Sequence, residues 1–228
     1  MRKTILKTKR LIIQPMENEE IQNLIKKTED PDLKQAYREM LEGCEADPKN
    51  RIWYAPWKMF LKKEGTYIGD LGFKGTVKNN SVEIGYGILR EYEGQGYTTE
   101  AAKAVVEWAF TNPDVYFVEA ETAPDNVASK RILEKLEFKP DGEGEEGPRY
   151  VKEAPNTAWG PIYMSFGVAI GMSFGSMMNN IPIGMSLGVA IGFGIGTALD
   201  ASIKKKRENV RRQRKNSGIA DDKAGKMQ

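Results

Sequence analysis

Hydrophobic and polar positions change their period several times along the chain. Leu11-Ile12-Ile13 is a short apolar run that predicts a strand over 9–14. Ile21, Leu24 and Ile25 then recur at helical spacing, predicting a helix over 17–28. A second helix follows over 31–43, opened by Pro31, whose missing N–H costs nothing in a first turn. Ala55–Leu61, Thr66–Lys74 and Val82–Leu89 read as three strands. The turns Glu64-Gly65 and Lys78-Asn79-Asn80-Ser81 separate them, so they form an antiparallel meander. The period returns to helical at Thr98–Phe110, where Ala101, Val105, Trp108 and Ala109 share a face and Asn112-Pro113 ends the run. Val115–Glu121 is a strand, Asn126–Leu136 a helix, and Phe138 and Tyr150-Val151 mark closing strands around a floppy acidic turn, Asp141–Gly147. The order β, αα, βββ, α, β, α, ββ predicts an α/β fold with a mixed sheet flanked by helices.

Beyond Glu153 the pattern changes altogether. No charged residue occurs from Ala154 to Leu199. Two apolar stretches, 162–178 and 183–199, flank Asn179-Asn180-Ile181-Pro182. Met164–Gly171 repeats as Met185–Gly192 with one difference, Phe166 against Leu187. Gly167, Gly171 and Gly175, and then Gly184, Gly188, Gly192 and Gly196, recur every four residues, which puts each set on one helix face. In lipid such faces allow two helices to approach closely. The expectation is a glycine-zipper-like transmembrane hairpin over 154–203, lying in a lipid bilayer. Its glycine faces are also open to homo-oligomer contacts or a soluble assembly. The run Lys204–Lys215 holds eight basic residues in twelve and predicts a cytoplasmic anchor on anionic lipid, nucleic acid being the less favoured partner. The tail over 204–228 is expected to be disordered at its end. A hairpin returns the chain to its starting side, so the first 153 residues and the tail share the cytoplasmic face of a cell membrane.

Composition sharpens this division. Of 34 basic and 32 acidic residues, 10 and 4 lie beyond position 154, so a net charge of +2 conceals a mildly acidic first part and a basic end. Cys44 is the one cysteine, which excludes an intrachain disulfide. There is no histidine, which excludes Ser-His-Asp and Cys-His catalysis and any His-ligated metal site. A general base must therefore be a carboxylate, a tyrosine, water or the substrate's own amine. No metal site is expected.

The segment Glu91-Tyr92-Glu93-Gly94-Gln95-Gly96-Tyr97 joins a strand to a helix. Gly94 and Gly96 let the backbone turn tightly, and the helix start directs free N–H groups at the loop, a ready cradle for a diphosphate. No Gly-Lys-Ser/Thr follows, so this is not a Walker A loop.

Gly94, Gly96, Tyr97, Thr99, Glu100 and Ala101, followed after one strand by Asn126, Ser129, Leu133, Lys135 and Phe138, resemble the paired motifs of the GNAT acetyltransferases, in particular the branch that acetylates ribosomal-protein N-termini. The resemblance covers residues 5–153. Glu91 stands where that family has Gln or Arg, and Glu137 where it has Gly. The resemblance implies a sheet that splays open and an acetyl-CoA co-substrate. The pantetheine arm would pair near Gly87, Ile88 and Leu89, and the diphosphate would lie on Gly94, Gln95, Gly96, Tyr97 and Thr98. Asn126 and Ser129 would face the same gap, with Ser129 a donor to the leaving thiolate. Glu83 is the favoured base, with Glu121 opposite it, and Tyr150 is an alternative acid. Trp53, Tyr54 and Trp57 are core or acceptor-pocket residues. The implied activity is direct transfer of an acetyl group to a primary amine, on a protein N-terminus or a small molecule. The other reading is a CoA-binding membrane-assembly protein without turnover.

Overall fold

The computed structural model describes residues 4–156 and 158–225, with the backbone alone from position 214. The chain divides into two compact units, Met1–Ala154 and Pro155–Gln228.

In the first unit the strands are β1 (Leu6–Lys7), β2 (Leu11–Pro15), β3 (Trp57–Leu61), β4 (Tyr67–Phe73), β5 (Ser81–Ile88), β6 (Phe117–Glu121), β7 (Lys139–Glu143) and β8 (Pro148–Glu153). The helices are α1 (Asn18–Lys27), α2 (Pro31–Ala46), α3 (Tyr97–Ala109) and α4 (Val127–Lys135). The strands form one sheet in the order β1-β2-β3-β4-β5-β6-β8-β7. The β5–β6 pair is parallel and its neighbours are antiparallel, so the expected mixed α/β sheet is borne out. The two-residue β1 carries too short a pattern to be read from sequence. The acidic turn is shorter than expected because β7 runs to Glu143.

Alternation along the strands builds the core. Leu71 and Phe73 of β4 and Val82 and Ile84 of β5 meet Ala101, Ala102, Val105 and Ala109 of α3 in one buried cluster. The larger of these, Leu71, Phe73, Val82, Ile84 and Val105, each contribute about 1.5–3 kcal/mol by leaving water. Trp108 lies 5.0 Å from Trp53 and 4.8 Å from Trp57, centroid to centroid. Trp53 and Trp57 are buried in this cluster, and Tyr54 packs in a second cluster with Met16, Ile21, Tyr37 and Ala55. These aromatic residues therefore serve the core. On the second side, the buried Tyr37 ties α2 to Asp70 of β4, which Tyr67 of the same strand also engages. Tyr37 donates to Asp70 Oδ2 at 2.9 Å, and Tyr67 donates to the same oxygen at 2.6 Å. Asp30 caps α2 by accepting from the N–H groups of Asp32 and Leu33.

The β5–β6 seam is brief. Ser81, Val82 and Glu83 pair with Phe117, Val118 and Glu119. Beyond Glu83, β5 continues to Ile88 bonded to β4 through Phe73–Gly69. The sheet thus parts immediately after Glu83, which is the splay that the family resemblance implies.

The second unit holds α5 (Trp159–Met177) and α6 (Ile181–Gly225). The turn between them uses Asn179 at a φ of 52°, a conformation Asn tolerates better than most residues. Gly167 lies against the backbone of Gly188 and Gly192, and Gly171 against Gly184 and Gly188. The glycine faces meet each other within one chain, so they are already occupied and do not offer the free surface expected for homo-oligomer contacts. Asp200 of α6 closes the far end, accepting from the N–H groups of Trp159 at 2.9 Å and Gly160 at 3.2 Å. Those are orphan donors of the first turn of α5. Around this seam large apolar side chains, among them Phe166, Ile170, Phe174, Leu187 and Ile191, stay exposed. Among the described residues α6 is the one helix long and apolar enough to cross a membrane; α5 is diluted by serine, glycine, proline and tyrosine. The basic run does not leave the helix. The helix α6 carries on through Lys204–Lys215, where Lys, Arg and Glu favour helix, and its backbone is helical to Gly225.

Candidate active site

Three groups of residues lie along β5 and the elements that adjoin it. The first is the loop between β5 and α3. Arg90–Tyr92 makes a single 3-10 turn, after which Gly94 and Gly96 adopt φ values of 70° and 77°. A side chain at either position would strain this backbone, which gives the two glycines their purpose. Gly96 is also the N-cap of α3. The ladder of that helix begins with Glu100 N–H to the Gly96 carbonyl at 3.1 Å, so the N–H groups before it are available to an anion. Gln95 donates to the Glu91 carbonyl at 3.1 Å, while Glu91 itself is exposed. Thr98 is buried, and Tyr97 is half-buried with its ring 4.2 Å from the Arg10 guanidinium.

The second group links β5 to α4. Asn126 caps α4 by accepting from the Ser129 N–H at 2.9 Å. That cap turns Ser129 inward, where it is buried, and its Oγ lies 2.9 Å from the Tyr86 hydroxyl. Burial pushes the Tyr86 phenol up from its ordinary value, and the Ser129 hydrogen bond opposes this. Tyr86 was not legible as a site residue. It continues the Val82-Ile84 face with the same period of two, which marks it as core.

The third group surrounds Glu83 at the last pair of the seam. Lys74 Nζ lies 2.6 Å from Glu83 Oε1 and 2.6 Å from Glu146 Oε1. The Lys74–Glu83 contact is an ion pair without a well-aligned hydrogen bond. Glu146 is held in the β7–β8 turn by its own N–H, which donates to Glu121 Oε2 at 3.0 Å. Burial raises the Glu83 carboxyl above its ordinary value, Lys74 pulls it back, and Glu121 and Glu146 push it up. A carboxylate with a raised value is suited to receive a proton near neutral pH.

Of the other residues singled out in the sequence, Ile88 packs on the core at the end of β5. Leu89 is exposed and donates its N–H to the Ile68 carbonyl at 2.9 Å. Tyr150 of β8 packs on the same core cluster beside Ala120, its register partner. Ser129 and Asn126 thus stand beside β5 through Tyr86, Glu83 lies at the last β5–β6 pair, and Tyr150 packs on the core cluster.

A family model described as the acetyltransferase (GNAT) domain matches residues 10–139. Over 87 residues the chain is 30% identical to an uncharacterized N-acetyltransferase, p20, of Bacillus licheniformis, covering 38% of this chain and 49% of that protein. Over 145 residues it is 30% identical to the uncharacterized protein YkkB of Bacillus subtilis, covering 59% of this chain and 84% of that one. The chain spans about half the length of the first curated relatives it matches, 49% in each. Among solved structures, a ribosomal-protein-S5-alanine acetyltransferase from Vibrio fischeri superimposes with a TM-score of 0.54 at 14% identity, covering 67% of this chain and 98% of that one. RimL, a ribosomal L7/L12 alpha-N-protein acetyltransferase in complex with coenzyme A, gives 0.53 at 15%, covering 66% and 98%. At such identities the likeness is one of fold.

Proposed function

This chain belongs to the GNAT acetyltransferase family, and from that premise we propose that its first unit moves the acetyl group of acetyl-CoA directly to a primary amine while its second unit tethers it to a membrane. One observation carries the catalytic reading. The β5–β6 seam ends at Glu83, leaving the rest of β5 open on that side between a diphosphate-type loop and the Tyr86–Ser129 pair. The pantetheine arm pairs with the free edge of β5 near Gly87–Leu89, and the loop N–H groups with helix α3 hold the diphosphate.

The chemistry asks little more of the protein than position and two proton transfers. The neutral amine attacks the thioester carbon, the carbon–sulfur bond breaks, and the acetyl group leaves on nitrogen. Ser129, backed by the Tyr86 hydroxyl, supplies a proton to the thiolate. Glu83 accepts the proton the amine loses, through water where the two do not touch. Lys74 opposes the upward pull of burial on that carboxyl and so favours its ionised, proton-accepting form. The acceptor class is a protein N-terminus or a small primary amine, a choice supported by the printed activities of the ribosomal-protein acetyltransferases of like fold.

The tether rests on the second unit. The apolar part of α6, Ile181–Leu199, is about 28 Å long at about 1.5 Å per residue, close to the ~30 Å hydrocarbon core of a bilayer. The basic run after Asp200 then lies at the headgroups of an anionic leaflet, on the cytoplasmic side where acetyl-CoA is found.

Full-length protein in detergent micelles, given acetyl-CoA and a panel of amines and peptide N-termini, tests the enzyme: amine-dependent release of free CoA thiol is expected. Thermal stabilisation by CoA without any release would favour a binding protein. Membrane fractions washed with alkaline carbonate should retain the chain, and its appearance in the soluble fraction would overturn the tether.

A further inference from the structure

Arg10 reaches the diphosphate-type loop from the far edge of the sheet. It stands immediately before β2, yet its Nη1 donates to the Gln95 carbonyl at 3.0 Å and its Nε to Glu100 Oε2 at 2.6 Å. Its guanidinium also lies 4.2 Å from the centroid of the Tyr97 ring. Glu100 returns the grip. Its Oε1 accepts from the Arg10 backbone N–H at 2.7 Å and from Thr8 Oγ1 at 2.6 Å. These bonds pull the Glu100 carboxyl below its ordinary value against the opposing effect of burial.

Two consequences follow from elementary geometry and charge. A trans peptide holds its C=O and the next N–H antiparallel in one plane. Fixing the Gln95 carbonyl toward Arg10 therefore turns the Gly96 N–H to the opposite side of the loop. The second concerns charge. Glu100 sits in the first turn of α3, where a carboxylate suits the helix but opposes any anion bound at the same end. The bidentate reach of Arg10 cancels that charge while leaving the helix start positive.

We propose that Arg10, locked by Glu100, is a positioning residue for the coenzyme loop: it sets the Gln95–Gly96 peptide so that the Gly96 N–H points away from Arg10 and toward the diphosphate of CoA. This rests on the reading of that loop as the coenzyme site. A lysine does not substitute, because the effect needs a planar fork that bonds the carbonyl and the carboxylate together.

Calorimetric titration of the full chain in micelles with CoA and with 3′-dephospho-CoA tests the assignment, using wild type, Arg10→Lys and Arg10→Ala. Both variants should lose roughly tenfold or more in affinity, as charge-assisted hydrogen bonds imply, and to the same factor for both ligands. With an accepted amine, Arg10→Lys should raise the KM for acetyl-CoA with little change in kcat. Should Arg10→Ala fail to fold, Arg10→Lys, which retains charge and stem, decides the matter. Wild-type affinity in Arg10→Lys for both ligands would overturn the proposal. A loss confined to CoA would also overturn it, since Arg10 would then be a direct contact of the 3′-phosphate. A wild-type chain that binds neither ligand would instead sink the coenzyme reading on which the proposal rests.

Discussion

The Tyr86 hydroxyl and Ser129 Oγ lie 2.9 Å apart, joining β5 to α4 at the level where the sheet has opened. Neither residue holds the other by chance of loop geometry. Ser129 is aimed by the Asn126 cap, and Tyr86 is aimed by the alternation of β5. A hydroxyl pair in this place can pass a proton to a leaving thiolate and refill itself from the second oxygen.

Ser129→Ala should therefore lower kcat by about 10²-fold, the low end of general acid catalysis, with the KM for acetyl-CoA little changed. Tyr86→Phe should lower kcat less, because Ser129 remains to donate. Steady-state rates against acetyl-CoA concentration check both, and equal rates in Ser129→Ala and wild type would remove Ser129 from the chemistry.

In the proposed mechanism Lys74 sets the pH at which Glu83 acts as the base. The Glu83 value is raised by burial and held down by Lys74, with Glu121 and Glu146 pressing it upward. A base works when ionised, so the rate falls as pH drops through that raised value. Lys74→Met removes the opposing charge, and the acid limb of kcat/KM should move to higher pH. Glu83→Gln should cost about 10²-fold or more at neutral pH. The pH–rate profiles of the three proteins make the comparison. An acid limb that stays in place in Lys74→Met would show that Lys74 does not govern the base.

Glu137 adopts a φ of 62° just after α4, with the Phe138 N–H reaching back to the Leu133 carbonyl at 2.9 Å. That is the left-handed position of a helix C-terminus, which glycine fills without strain. Glu137→Gly should stabilise the first unit by up to about 1 kcal/mol, at the loss of an exposed ion pair with Lys152. Thermal unfolding of the two proteins measures it, and a lower midpoint in the variant would contradict the strain.

In the second unit, a side chain at Gly188 would meet the backbone of Gly167 and Gly171, whereas one at Gly194 would meet nothing within 4 Å. Gly188→Leu should part the two helices and lower the unfolding midpoint followed by circular dichroism in micelles. Gly194→Ala should leave the hairpin intact and favour its helix by about 1 kcal/mol. Equal tolerance at the two positions would mean that the glycine seam does not hold the hairpin.

Where periodicity was strong, the sequence carried the fold. The meander, helices α1 to α4 and the turn at Asn179–Pro182 followed from apolar spacing, glycine and proline. The loop glycines, the Asn126 cap and the glycine seam were legible because backbone geometry demanded those residue types. The contacts of Arg10 with Gln95, of Lys74 with Glu146 and of Asp200 with Trp159 were not, since they join residues distant along the chain and depend on how elements stack. Tyr86 was hidden by its own pattern, an amphipathic side chain in an apolar phase. Tyr150, the alternative acid, stands half-buried in β8 opposite Ala120 and against the core cluster, a neighbourhood that pairing across strands decides and the local sequence does not reveal.

Amide hydrogen exchange of the full chain, with and without CoA, bears most directly on whether the parted sheet and its loop form the coenzyme site. Slowed exchange is expected over two adjoining segments, the end of β5 at 86–89 and the loop and first turn of α3 at 94–98. Unchanged exchange across both segments at saturating CoA, or protection confined to other parts of the chain, would contradict the account.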